Sequence, residues 1–165
     1  MSDFHIRRLL SDDASIFRAI RLEGLERHPE AFGASFEEER AYDKSRFAEW
    51  IEDNAIFGGF NEQGTVAGVV AASRSKKAKT QHIATIWAMY VRPEARGSGL
   101  GRSLLQSAID AVKTDCHSIR LGVVTSNTQA LRLYESAGFR VWATDKKAFR
   151  IDNQYHDLLL MRLDT

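Results

Sequence analysis

This chain has little of what fixes many other proteins in place. One cysteine, Cys116, stands among 165 residues, so no disulfide framework is available. There are two prolines, and no repeat, low-complexity stretch or interdomain linker, which leaves a single domain over residues 1–165. No apolar run approaches the roughly 18 residues that a membrane helix needs. The first twenty residues hold Asp3, Arg7, Arg8, Asp12, Asp13 and Arg18, which leaves no apolar core for a signal peptide. Neither sign of charge is in excess: 23 Lys and Arg face 22 Asp and Glu, for a formal net charge of +1, so a broad footprint for nucleic acid is missing. The one basic run, Arg74 to Lys79, reads as a solvated hairpin turn. These absences point to a soluble chain of the reducing cytoplasm with neither a membrane nor a nucleic-acid partner.

What is present is an alternation of strand and helix patterns. Phe4 to Leu9 alternates apolar and polar residues as a half-buried strand does. Ser11, Asp12 and Asp13 are capping types ahead of Ile16, Phe17, Ile20 and Leu25, which recur at helical spacing as far as Pro29. Ser35 and Glu38 have capping-box spacing, and Asp43 can cap a further helix carrying Phe47, Trp50 and Ile51. Ala55–Phe60, Thr65–Ser73 and His82–Val91 form an antiparallel meander. Leu100, Leu104, Leu105, Ala108, Ile109 and Val112 make one helical stripe, read as core packing on the sheet. Ser118–Val124 reads as a strand with Ile119, Leu121 and Val123 on one face. Asn127 opens a helix, and Gly138 stands where a left-handed C-terminal cap belongs. A strand begins at Phe139, and Lys147–Ile151 and Tyr155–Leu163 form a final hairpin turned at Asp152–Asn153. The order is β-α-α-β-β-β-α-β-α-β-β, in which only Trp87 to Val124 has the form of a crossover unit.

The chemistry concentrates at Arg96-Gly97-Ser98-Gly99-Leu100-Gly101-Arg102, which lies between an apolar strand and a helix start. The first N–H groups of a helix lack intrahelical partners and carry the positive end of its dipole, so a bare backbone there cradles anions, most often phosphate. The spacing departs from two familiar phosphate loops. A dinucleotide fingerprint needs Gly-x-Gly-x-x-Gly, one residue longer than Gly97-x-Gly99-x-Gly101. A P-loop needs a lysine, and Arg102 follows the last glycine instead. Cys116 falls near a predicted helix end, well after the loop, and reads as a small packing residue rather than a nucleophile.

Arg96-x-x-Gly99-x-Gly101, with Val91 five residues before it, resembles the acyl-CoA signature of the GCN5-related N-acetyltransferases (GNAT). Asn127, and Tyr134-Glu135-Ser136-Ala137-Gly138-Phe139 seven residues later, resemble the second half of that pattern. The two motifs span about Trp87 to Val141. The resemblance implies an α/β (α+β) fold with a mixed, mostly antiparallel sheet of six to seven strands and about four helices. It implies a splay between the strand ending at Val91 and the strand Ser118–Val124, with the first of these bulged. It further implies that acetyl-CoA is the acyl donor, with no metal. The pantetheine arm would lie along Met89, Tyr90 and Val91, and the pyrophosphate on the N–H groups of Arg96, Gly97, Ser98, Gly99, Leu100, Gly101 and Arg102. Asn127 would reach the arm, the Met89 N–H would meet the developing oxyanion, and Tyr134, a phenol near the thiol in pKa, would protonate or position the leaving thiolate.

The general base is where the chain departs from the family pattern. No Asp or Glu lies between Thr80 and Val91, and His82 is the one titratable base there. Glu23, Glu37, Glu38, Glu39, His156 and Asp157 are further candidates on the acceptor side, beside water or a free amine taken from solution. The implied activity is transfer of an acetyl group to a primary amine; a CoA-sensing or partner-binding module without catalysis is the alternative. The sequence names neither the amine nor the oligomeric state, although a homodimer is common in the family.

Overall fold

Alternation becomes strand wherever one face of it meets a helix layer. The computed structural model describes residues 3–165. Its strands are β1 (His5–Arg8), β2 (Ala55–Phe60), β3 (Val66–Arg74), β4 (Ile83–Val91), β5 (Ser118–Val124), β6 (Arg140–Ile151) and β7 (Gln154–Asp164). They form one seven-stranded sheet in the order β1-β2-β3-β4-β5-β7-β6. Every neighbouring pair is antiparallel except β4 and β5. The helices are α1 (Ala14–Arg27), α2 (Phe36–Glu39), α3 (Lys44–Asp53), α4 (Leu100–Val112) and α5 (Thr128–Ser136). This is the mixed, mostly antiparallel α/β architecture expected, with five helices in place of about four. The short one, α2, exists because the Ser35 hydroxyl accepts the Glu38 N–H at 3.1 Å.

Each face of the sheet buries its own core. On one face the expected stripe of α4 packs with Val70, Ala84, Ile86, Ile119, Leu121, Val123 and Met161. On the other, Phe17 and Ile20 of α1 and Phe47 and Ile51 of α3 pack with Ile56, Val69, Ala71 and Ala88. Close seating of α4 depends on two strand glycines. A Cβ at Gly59 would stand 2.5 Å from Leu100 Cδ1, and one at Gly68 would stand 2.8 Å from Leu104 Cδ1. That seating holds the N-terminus of α4 against the end of β4.

The C-terminal strands differ in extent from the sequence reading. The strand beginning near Phe139 and the first arm of the final hairpin are one twelve-residue strand, β6. Its register on β7 shifts between Val141 and Ala143 and again between Asp145 and Phe149. Each irregularity breaks the period-2 pattern, so the sequence reads as two pieces. The turn lies at Asp152 and Asn153, both at positive φ, as expected. No helix of the described residues is long and apolar enough to cross a membrane.

Candidate active site

The site starts from a fault in β4. Gly68 and Val69 pair with Val91 and Tyr90, but Ala71 pairs with Trp87, so Ala88 and Met89 together oppose Val70 alone. Two residues against one is a β-bulge, and Ala88 carries the positive φ of 55° that accompanies it. The other edge of β4 fails a few residues before the bulge. β4 pairs with β5 only through Ile83–Ser118, Ala84–Ile119 and Thr85–Arg120. Beyond Thr85 the strands part, and β5 continues on β7 alone. The upper half of β4 therefore presents backbone groups to an open gap, the geometry that accepts an added extended chain.

The gap widens into a cleft of about 560 Å³. Met89, Tyr90 and Val91 form one wall, Asn127, Ala130, Arg132 and Leu133 the opposite wall, and Arg96, Gly97, Gly99, Gly101 and Arg102 the head. His28 to Phe32 close over the mouth. Gly99 adopts φ 88° and is the N-cap of α4, a left-handed conformation that side chains avoid. The first backbone bond into α4 runs from the Ser103 N–H to Gly99 O, so the N–H groups of Leu100, Gly101 and Arg102 precede the helical ladder. A Cβ on Gly101 would stand 3.5 Å from Met89 Cε and 3.6 Å from Leu133 Cδ2, so larger side chains there fill the slot. Bare donors, an aligned dipole and an apolar slot fit a phosphate-bearing ligand with a thin, extended arm.

The side chains around this loop mostly serve the loop itself. Ser98 Oγ donates to Ala95 O at 2.6 Å and accepts the Leu100 N–H at 3.3 Å. Arg96 folds back, with Nε donating to Val91 O at 3.1 Å and Nη2 donating to His28 Nε2 at 3.2 Å. Arg102, exposed at the rim, has no ion pair among the described residues. Asn127 caps α5 by accepting the Ala130 N–H at 3.2 Å. Tyr90 lines the cleft and donates its hydroxyl to Glu23 at 2.9 Å.

Tyr134 lies behind the cleft wall. Its ring packs edge-on against Phe139 with centroids 6.1 Å apart, and it belongs to the core beneath α5. Burial pushes its phenol up to about 12, above the value near 10 expected from the sequence. The candidate bases disperse. His82 is not brought to the cleft: it precedes the paired end of β4, where its carbonyl accepts the His117 N–H at 2.8 Å. Seven residues of extended strand, about 23 Å, separate it from Met89. Glu23 is held by Tyr90 and by Arg92 Nε at 3.1 Å. Glu39 is buried in a two-bond pair with Arg21 (2.9 and 3.0 Å). Asp157 accepts the Lys147 N–H at 2.8 Å.

His28 and Phe32, from the stretch after α1, and Arg132, between Asn127 and Tyr134 on α5, also line the cleft. Nothing in their spacing signals it. His28 is placed by the end of α1, where its N–H bonds to Gly24 O at 2.9 Å, and by Pro29.

The model of the acetyltransferase (GNAT) family matches residues 21–139. The chain is 35% identical over 92 residues to the UPF0157 protein YqkA of Bacillus subtilis, a match covering 56% of this chain and 25% of that protein. It thus spans about a quarter of that relative's length. It is 27% identical over 142 residues to the L-amino acid N-acyltransferase MnaT of Escherichia coli, covering 82% of each. Among solved structures, yncA from Salmonella typhimurium with its cofactor acetyl-CoA superposes with a TM-score of 0.85 at 24% identity, over 99% of this chain and 94% of that one.

Proposed function

The chain belongs to the acetyltransferase (GNAT) family, and from that premise we propose that it transfers an acetyl group from acetyl-CoA to a primary amine within one ternary complex. One observation carries the reading. β4–β5 pairing is lost above Thr85, the bulge at Ala88–Met89 falls within the stretch so freed, and the opening leads to the N-terminus of α4.

When bound, acetyl-CoA supplies an activated acyl group and a thiol leaving group. Met89 and Val91 take the arm on their backbone groups, and the N–H groups of Gly97, Ser98, Gly99, Gly101 and Arg102 take the pyrophosphate, those of Arg96 and Leu100 being bonded to Pro93 O and Ser98 Oγ. Arg102 and Arg132 add charge at the rim. Asn127, whose amide oxygen is spent on the Ala130 N–H, keeps its NH2 group for the arm. The amine nitrogen bonds to the acyl carbon as the carbon–sulfur bond breaks, and the amine's proton ends on the thiol. The Met89 N–H, at the bulge where β4 loses its one-to-one register on β3, stabilises the developing oxyanion. Tyr134 holds its proton and donates a hydrogen bond to the departing sulfur. Full transfer from a phenol at about 12 to a thiolate whose acid lies near 8.5 is uphill by about 5 kcal/mol. With Glu23, Glu37, Glu39 and Asp157 engaged and His82 remote, Glu38 and His156 are the candidate bases left beside an amine that enters as its free base.

The test is thiol release from acetyl-CoA across an amine panel. Release that requires both acetyl-CoA and an amine supports the transferase. Tight CoA binding without turnover, together with indifference to Tyr134→Phe, supports a non-catalytic CoA-binding module instead.

A further inference from the structure

Three arginines stand in a row across the last three strands. Arg120 of β5 is directly opposite Arg162 of β7, and Arg162 is directly opposite Arg140 of β6. Direct cross-strand partners share a face and lie about 5 Å apart. That face is fixed by alternation. Ile119 and Leu121 point into the α4 core, as do Met161 and Leu163, so Arg120 and Arg162 project to the opposite side.

Like charges placed directly opposite one another destabilise a sheet, and the surroundings do little to offset them here. Arg162 meets Asp164 at 3.2 Å. Arg120 has one hydrogen bond, to Ser118 Oγ at 3.4 Å. Arg140 has no side-chain partner among the described residues and is exposed. Three guanidinium groups thus share one carboxylate, and the row lacks anions rather than cations.

The position of the row gives it a use. The helices α1 and α3 cover the part of this face made by β2, β3 and β4. Past β4 the Pro29–Ala31 turn touches β5 and β6, yet Thr85, in register with Arg120, and Gly122, the next residue on that face of β5, are both exposed. The cleft walls made by Gly101 and Leu133 lie on the other face, with α4 and α5. An acceptor laid along this exposed strip to the splay crosses Thr85 and Gly122, against which Leu158 packs. From Met89 to the arginine row is four residues of strand, about 13 Å. A free amino acid does not span that distance; four extended residues of a polypeptide do.

We propose that the Arg120–Arg162–Arg140 row is an anion-recognition site for the acceptor, and that the acceptor is a polypeptide with acidic side chains about four residues from its reacting amine. The identity of the acceptor rests on the transferase reading above; the binding of an acidic chain does not.

The test uses the full chain saturated with CoA and two fluorescently labelled peptides of equal length. One carries three Asp or Glu residues at positions four to six from its free amine, the other Asn or Gln there. Anisotropy at low salt is expected to show about tenfold tighter binding of the acidic peptide, with the preference fading as salt rises. In Arg120→Gln/Arg140→Gln the preference is expected to fall within about twofold; both side chains are peripheral to the core, and thermal melting confirms the fold. Equal binding of the two peptides by the unaltered chain, a preference that survives in the variant, or stronger competition by a single-stranded oligonucleotide of equal length overturns the proposal. Acetylation of each peptide is followed separately. Selective binding without acetylation leaves the arginine site standing and refutes the acceptor assignment, whereas turnover of small amines alone with no selective binding refutes the arginine site and leaves the transferase reading standing.

Discussion

Tyr134 shows how one residue's surroundings change the role that its type suggests. A tyrosine beside a thioester reads as an acid, but burial holds this phenol up at about 12. Replacing Tyr134 with Phe is expected to lower kcat by about ten- to a hundredfold, the worth of one hydrogen bond to a charged sulfur; steady-state kinetics at saturating acetyl-CoA reads it. The same burial sets a pH dependence. The folded phenol titrates above the unfolded one, near 10, so the stability carried by its proton is complete below pH 10 and is lost as pH climbs towards 12. Denaturant melts across that range are expected to be flatter for Tyr134→Phe than for the unaltered chain. Glu39 makes the opposite point. In the sequence it is one of three adjacent glutamates, indistinguishable from a solvated helix face. In the structure it is 6% exposed and bonded twice to Arg21, whose guanidinium also lies over Phe32 and Trp87. Glu39→Ala leaves that guanidinium buried without a partner and is expected to cost about 3–5 kcal/mol in urea unfolding, whereas Glu38→Ala, exposed, is expected to cost little.

The elements show where the sequence could be read and where it could not. The stripe of α4, the caps at Ser35 and Asn127, and the positive φ at Gly138 and at the Asp152–Asn153 turn all follow from local chemistry, so spacing alone located them. The bulge at Ala88–Met89 did not show in spacing, because Ala88 and Met89 are ordinary strand residues; it was expected only through likeness to a family. The fate of Glu23, Glu39 and His82 depends on elements far apart in the chain: α1 facing β4, α1 facing α2, and the paired end of β4 next to β5. Single-sequence periodicity holds no such information. The arginine row is a further case, visible only once β5, β7 and β6 are in register. Relieving that repulsion is expected to raise the Tm of Arg120→Gln/Arg140→Gln by about 1–3 °C, although two side chains are lost.

For the whole molecule, the sheet does two jobs with its two faces. One face carries α4 and α5 and brings a helix N-terminus to the cleft; the other carries α1 and α3 and leaves Thr85 and Gly122 exposed. The splay joins them, so a donor and an acceptor can meet through the sheet from opposite sides. All of this depends on the cleft accepting acetyl-CoA. Calorimetric titration of acetyl-CoA into the chain and into Gly101→Val tests that most directly, because the added side chain fills the slot between Met89 and Leu133. One site per chain, weakened at least about tenfold in the variant, is the expected result. No saturable binding to the unaltered chain, or equal binding by the variant, contradicts it.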